Sequence, residues 1–413
     1  MQLRQLFVGI DVSVKTLDVT ILDADEKTVR SPSSYENNPC GWTRLVETLG
    51  ALTPKYQLTG CGMESTGRYH EGIARHLRVH CSATQVHVLN PLAIKRFSQA
   101  MLKDSKTDGL DSQLIALYLL RMKPESAPEP TRELQALKEL TRGRRRLVED
   151  RTQAKNRFHA LMHRHYPGYQ ELLGKKPTLS LLTVMNEMQS PRAIIERSAE
   201  SIARISTAPR HVVGMTIAEK ITAVAAQAPV NQLAPASELL IQTSVRRILE
   251  LRESIRRFDA CIEDMIADMP DAKLLQSIPG FGVVTVATII AEVGDIRRFP
   301  TADKLVGYCG LYPIVWESGQ AKRTYRMSRK GNRWLKTALL VVSAAARLYN
   351  PTITDFGQRL QKRGKSTKAI GGALAAKLAR IVWAILTMNQ SWSPAIAARG
   401  REKALSMLTP STD

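Results

Sequence analysis

Cysteine, unbroken apolar runs and negative charge are all scarce in this 413-residue chain, and each shortage excludes something. The five cysteines, Cys40, Cys61, Cys81, Cys261 and Cys309, are odd in number, widely spaced and never arranged as Cys-x-x-Cys. That pattern argues against a disulfide framework and against a zinc knuckle, and it suits a reducing compartment. Of the late apolar segments, 338–346 is too short to span a bilayer and 370–388 is interrupted by Lys377 and Arg380. No signal-peptide core opens the sequence, so no membrane partner is expected. Acidic residues number 38 against 59 Lys and Arg, a formal net charge of +21.

What is there is basic and unevenly spread. From position 301 onward 19 Lys and Arg face 5 Asp and Glu, and between 321 and 368 thirteen basic residues accompany a single acid, Asp355. Tyr325 and Trp334 are interleaved among them. Phosphate is the usual partner of such density, although a merely solvated basic face has the same composition. At 44% hydrophobic content the chain can bury two or three cores.

Against this background four acids need a reason to be where they are. Asp11 ends an apolar strand pattern over 5–12, and a turn at Val14-Lys15 leads into the alternating Leu17, Val19 and Ile21. Glu64 sits where a strand from Tyr56 runs into Ser-Thr-Gly. Asp108 and Asp111, three apart at the start of a helix reaching Leu120, share one helix face. Carboxylates aimed together repel, and a hard divalent cation with oxygen ligands removes the repulsion. Each acid alone also reads as a solvated or capping residue. Asp104, one turn before Asp108, reads as loop and stays outside the set.

The middle of the chain is helical. A helix over 131–165 spaces Leu140, Leu147, Ala154 and Leu161 by seven and carries Arg144, Arg145, Arg146 and Lys155 as candidate phosphate contacts. A second over 237–269 places Ile241, Ile248, Ile255 and Ile262 at one heptad position and Leu251, Phe258 and Met265 at the other. Sustained heptads argue for a coiled coil, either between chains or as a hairpin within one. No chemistry is assigned to 166–236. Ile278-Pro-Gly-Phe-Gly, followed by an apolar helix over 283–293, looks like a helix-hairpin-helix element in which Gly280 and Gly282 bring backbone amides to a phosphate, or simply connect packed helices.

Two blocks carry a family resemblance. Ile10-Asp-Val-Ser, Met63-Glu-Ser-Thr-Gly and Lys106-Thr-Asp-x-x-Asp resemble the RuvC-like nuclease domain of the DEDD insertion-sequence transposases, described as bridge-RNA-guided recombinases. Ser277-Ile-Pro-Gly-Phe-Gly, Gly310-Leu-Tyr-Pro, Ser318-Gly and Ser328-Arg-Lys-Gly-Asn resemble that family's C-terminal transposase domain. The resemblance implies an α/β plus all-α fold: a RuvC/RNase H-like mixed sheet with helices over 1–125, long coiled-coil helices over 126–270, a mainly helical transposase domain with a helix-hairpin-helix-like element over 271–390, and a loosely ordered tail over 391–413. It implies Mg2+ held by Asp11, Glu64, Asp108 and Asp111, with Ser318 as nucleophile and Ser13, Ser65 and Ser328 as turn or cap residues. Nucleic-acid contacts would come from the residues above together with Lys322, Arg323, Arg326, Arg329, Lys330 and Arg333. Implied partners are donor and target DNA, a structured bridge RNA and further copies of the chain, as a dimer or tetramer. The implied setting is the prokaryotic cytoplasm, at the nucleoid when bound to DNA. A RuvC-like junction endonuclease using water, and a non-enzymatic basic scaffold, are the alternative readings.

Overall fold

The computed structural model describes residues 3–65, 67–81, 84–101, 108–124, 131–174, 177–188, 190–228, 235–316, 324–328 and 330–399. For 108–110, 315–316, 324–326 and 397–399 it describes the backbone alone. The chain divides into two compact units, Met1–Glu129 and Pro130–Asp413.

Unit 1 is a mixed α/β layer structure. Its elements in chain order are β1 (Arg4–Val12), β2 (Thr16–Asp23), β3 (Thr28–Glu36), α1 (Pro39–Gly50), β4 (Tyr56–Glu64), α2 (His70–His80), β5 (Gln85–Leu89), α3 (Pro91–Ala100) and α4 (Asp108–Met122). The strands lie in the order β3-β2-β1-β4-β5. The first three pair antiparallel, whereas β4 joins β1, and β5 joins β4, in parallel. Side chains alternate along a strand, so Leu6, Val8, Ile10 and Val12 face α1 and α2, where Leu45, Leu49, Ile73 and Leu77 bury against them. Phe7 points the opposite way and packs with Leu114, Ile115 and Leu119 of α4.

Gly9 lies on that α4 face and sets how closely the helix approaches. A Cβ there would fall 1.9 Å from the Ser112 carbonyl oxygen and 2.5 Å from the Ala116 nitrogen, so helix and strand backbones are in direct contact. At Gly62 on β4 a Cβ would meet Leu119 at 2.8 Å. The buried Ser112 hydroxyl pairs with Thr20 Oγ1 of β2 at 2.8 Å, which fixes the rotation of α4 on the sheet. At the other end of the helix the Arg121 guanidinium donates to both carboxylate oxygens of Glu26, at 2.6 and 2.7 Å. These anchors run α4 antiparallel to β1, with its N-terminus at the carboxyl ends of β1 and β4.

Unit 2 begins with α5 (Arg132–His165), capped by the Thr131 side chain, which accepts from the Leu134 amide. There follow α6 (Tyr169–Leu173), α7 (Leu179–Glu187), α8 (Pro191–Ile195), α9 (Ala199–Ala203), the hairpin β6 (Ser206–Ala208) and β7 (His211–Val212), α10 (Met215–Ala226) and α11 (Pro235–Ile266). Next come α12 (Pro270–Gln276), α13 (Val283–Val293), a 3-10 turn at Ile296–Arg298, α14 (Ala302–Cys309) and the hairpin β8 (Pro313–Trp316) and β9 (Thr324–Met327). The last helices are α15 (Arg333–Tyr349), α16 (Pro351–Lys362), α17 (Thr367–Met388) and α18 (Pro394–Arg399).

The heptad stripe of α11 is buried, and its partner is α5 of the same chain. Leu137 near the start of α5 shares a core with Ile262 and Ile266 at the end of α11. Ala154 and Phe158 near the end of α5 share another with Ile241, Val245 and Ile248 at its start. The pair is therefore antiparallel. Gly143 lets Phe258 approach to 2.9 Å of its would-be Cβ. The heptad pattern extends to 269, but the helix ends at Ile266 because Pro270 opens α12. The described residues between 166 and 228 form α6 to α10 and the β6–β7 hairpin over the far end of this pair.

The C-terminal helices α12 to α17 close one core around Leu374, Leu378, Ile381 and Ile385 of α17. By length and composition alone α17 is the one described helix long and apolar enough to cross a membrane, with mean hydropathy 1.7 over an 18-residue window. That window is nevertheless 67% buried inside the protein. Lys377 lies over the Phe356 ring at 4.8 Å, and Arg380 Nε donates to Asp303 at 3.0 Å. The expected loose tail is docked as far as it is described: the Trp392 amide donates to Ser277 Oγ at 2.7 Å, and Ile396 is buried. All five cysteines are free, in line with their spacing.

A buried polar network ties α5, α13, α14 and α15 together. Glu292 is 2% exposed and receives both Nε and Nη2 of Arg142, at 2.6 and 2.9 Å, and Nδ2 of Asn332 at 2.7 Å. Asn332 then caps α15, its Oδ1 accepting from the Trp334 and Leu335 amides.

Two stability outcomes follow. Gly9→Ala should lower the unfolding free energy of unit 1 by about 1–3 kcal/mol or more, by overpacking the strand-helix contact, while Gly50→Ala, at the end of α1 with open space around it, should leave it unchanged or raise it by up to about 1 kcal/mol. Removing Arg142 leaves the Glu292 carboxylate buried with one donor, so Arg142→Ala should cost about 3 kcal/mol. Arg145→Ala, which breaks a half-exposed pair with Glu149, should cost about 0.5 kcal/mol or less. Urea unfolding of the four variants reads out both comparisons.

Candidate catalytic and nucleic-acid sites

The strand register brings acids together. Asp11 pairs directly with Asp18 of β2, and Asp11 and Glu64 each lie one residue beyond the paired Ile10 and Met63 of parallel β1 and β4. Asp11 shares its strand face with Gly9, and Glu64 with Gly62, and both glycines look onto α4. Asp18 shares its face with Thr20, which bonds Ser112 of α4. Three acids on three adjacent strands thus line one sheet face at its carboxyl edge. Neighbouring strands are about 4.8 Å apart. Asp111, next to Ser112 in the first turns of α4, stands over the same edge. Asp108 begins that helix, its side chain lying outside the described set.

Asp18 is the site residue that sequence reading missed. Its position between Leu17 and Val19 marks it as the outward residue of an amphipathic strand, and only the register Asp11↔Asp18 reveals it as a neighbour of Asp11. Like charges directly opposed across a strand pair are unfavourable. The donors here are all carboxylate oxygens, the chemistry a hard divalent cation takes, so the residue types fit such an ion. Among the described residues, no three His, Cys, Asp or Glu side chains gather closely enough to hold a metal.

Ser318, Lys322, Arg323 and Arg329 lie outside the described residues, and Arg326 is described in backbone only, on β9. Nearby, the ends of β8 and β9 rest on a glycine contact. Gly310 and Gly331, with φ of 68° and 101°, press together so tightly that a Cβ on Gly310 would sit 1.9 Å from the Lys330 carbonyl oxygen. The Ser328 and Asn332 amides donate to the Tyr312 and Tyr308 carbonyls, at 3.0 and 2.7 Å. Lys336 Nζ donates to the Ser328 carbonyl, and burial lowers its pKa below the usual lysine value. The competing serines are structural where described. Ser13 Oγ accepts from the Thr16 amide at 2.8 Å in the β1–β2 turn, and buried Ser328 Oγ accepts from the Lys330 amide at 3.1 Å.

The remaining basic candidates divide by partner. The Arg144 guanidinium is paired with Asp259, and Arg145 Nε with Glu149 at 3.0 Å. The guanidinium carbons of Arg146 and Arg333 lie 5.8 and 4.6 Å from the Trp334 ring centroid. Lys330 is exposed, and Lys155 is partly buried on α5. Gly280, at φ 93°, packs its backbone on Ala346 of α15, where a Cβ would meet the Ala346 Cα at 2.8 Å. Close packing therefore explains this glycine without a ligand. Gly282 caps α13 at a small recess also lined by Asp259 and Glu263, whose charge opposes a phosphate there.

Comparison with known proteins now bears on these sites. Residues 8–167 match the DEDD IS110 family model described as "Transposase", and residues 272–358 match "Transposase IS116/IS110/IS902 family". The chain is similar to an insertion element IS116 uncharacterized 44.8 kDa protein of Streptomyces clavuligerus, 25% identical over 95% of this chain and 97% of that protein. It is similar to the transposase for insertion sequence element IS1328 of Yersinia enterocolitica, 24% identical over 80% of this chain and 84% of that one. A pilin gene-inverting protein of Moraxella lacunata is 22% identical over 95% of this chain and 99% of its own length. With one model on the acid-bearing unit and a second spanning the glycine-clamped hairpin, the chain belongs to the IS110/IS116/IS902 family of insertion-sequence transposases.

Proposed function

We propose that the chain cuts and rejoins DNA through a covalent phosphoserine, using an RuvC-like acidic site. The observation that carries this reading is the row Asp18, Asp11 and Glu64 across three strands beneath Asp111 at the start of α4. Asp11, Glu64, Asp108 and Asp111 would hold Mg2+, which when bound supplies charge neutralisation and polarisation of the scissile phosphate. The N-terminal dipole of α4 adds positive potential at the same edge. The mixed sheet with helices on both faces supports the RuvC-like assignment.

Ser318 Oγ attacks the phosphorus. A Ser–O–P bond forms, the bond to the departing deoxyribose oxygen breaks, that oxygen takes up a proton, and the serine proton passes to solvent or a nearby base. Attack by a hydroxyl of another strand reverses the linkage and frees the serine, so the phosphodiester energy is kept and no ATP is needed. Positive charge around the hairpin, from Lys330 and Arg333 among others, stabilises the pentavalent state. A relative named for inverting a pilin gene supports cutting with rejoining over hydrolysis. By the same family resemblance, a structured bridge RNA pairs with donor and target DNA, and the acids of one protomer act with the serine of another in a dimer or tetramer. The basic charge of the chain supports the nucleic-acid part of that reading. Its place of work is the cytoplasm, on DNA.

The test incubates purified protein, its co-purifying RNA, magnesium and labelled junction DNA, then runs a denaturing gel. A labelled protein band is expected, absent in Ser318→Ala and reduced at least about 100-fold in Asp11→Asn, Glu64→Gln or after chelation. Free cleaved DNA that persists in Ser318→Ala would instead support a water-using nuclease. Unchanged transposition in cells by Asp11→Asn would support a scaffold.

A further inference from the structure

A groove in unit 2 runs between α5, α13 and α15. Its apolar floor comes from Val284, Ala338 and Val341, with Trp334 as one wall and Arg142, Arg144 and Arg145 of α5 along the rim. Its volume, about 170 Å³, is below the roughly 300–1,000 Å³ of a site for a drug-sized molecule. The hydroxyls of Thr141, Thr288 and Thr337, which also line it, each donate to a carbonyl of their own helix, at 2.9, 2.7 and 2.8 Å. Their lone pairs, and the hydroxyl of Thr285, which also lines the groove, remain to meet a ligand.

Charge at the rim is not uniform. Arg142, Arg144 and Arg145 are neutralised by Glu292, Asp259 and Glu149. Arg146 and Arg333 do not line the groove themselves and form no ion pair with any described residue, yet both guanidiniums lie within 6 Å of the centroid of its Trp334 wall. Two cations on one ring repel each other, and an anion between them removes the repulsion. The buried Glu292 carboxylate fixes this arrangement from below. It holds Arg142, whose own guanidinium lies 5.5 Å from the Trp334 centroid, and it holds Asn332, which caps the helix that begins at Arg333. Trp334 itself is seven residues beyond the last residue of β9.

We infer that this groove seats a single DNA strand, one phosphate between Arg146 and Arg333 and an adjoining unpaired base or sugar against the Trp334 wall. A duplex offers the rim its phosphates but keeps its bases stacked and paired, so the groove distinguishes unpaired DNA from duplex. The inference rests on the chain acting on DNA as a transposase. It does not rest on the acidic site or on Ser318, whose variants should keep this binding while losing cleavage.

Fluorescence anisotropy of the full chain with labelled oligo-dT, a duplex of equal length and oligo-U tests it. Trp334→Leu, and independently Ala338→Tyr, which fills the groove and leaves the indole and its arginines in place, should weaken oligo-dT binding about 5- to 100-fold. Duplex affinity should move less than about twofold, Trp334→Phe should retain most oligo-dT affinity, and Arg146→Gln combined with Arg333→Gln should flatten the salt dependence of oligo-dT binding by a slope of about one. Equal losses on duplex and single strand would overturn the inference, as would a loss confined to oligo-U. So would a change in self-association with oligo-dT binding intact.

Discussion

The arrangement of the acids in unit 1 depends on a backbone-to-backbone contact, the approach of α4 to β1 at Gly9. With no side chain between them, the first turns of the helix come down onto the sheet edge where Asp11, Asp18 and Glu64 emerge, and Thr20 with Ser112 fixes which way the helix faces. A larger residue at position 9 would leave every acid in the sequence and change only the separation between helix and sheet. Carboxylate function falls off steeply with such separation, because coordination and electrostatic stabilisation both act over a few ångströms.

Unit 2 solves a different problem, that of holding many cations in order. Much of its positive charge is committed internally. Arg142 serves Glu292, Arg144 serves Asp259 and Arg380 serves Asp303, so the number of basic residues overstates how many cations a nucleic acid meets. The glycines at 310 and 331 and the Asn332 cap form a rigid base from which the β8–β9 hairpin departs. Buried charge at Glu292 is costly to place, and its donors come from two distant stretches of chain. That arrangement links α5 to the start of α15, beside which Arg146 and Arg333 sit on the Trp334 ring without an ion pair to any described residue.

Periodicity made the long elements readable. The strands ending at Asp11 and Glu64, the helix from Asp108, both long central helices and the apolar helix after Gly282 all occur with boundaries close to those the sequence implies. Relations between elements were not readable. Asp18 is an ordinary outward strand residue until the register sets it opposite Asp11, and Gly9 is an unremarkable residue in an apolar run until α4 lands on it. Gly280 reads as a phosphate-binding turn, yet its freedom is used to pack against Ala346. The arginines of α5 read alike, and only their partners separate Arg144 from Arg146. Each of these distinctions is a long-range contact, which local spacing does not encode.

The antiparallel pairing of α5 with α11 decides how copies of this chain can meet. Because the isoleucine stripe is covered from within, it is not a bare seam on which a second copy could zip. Any meeting of two copies would then have to use other faces and would leave this hydrophobic seam intact.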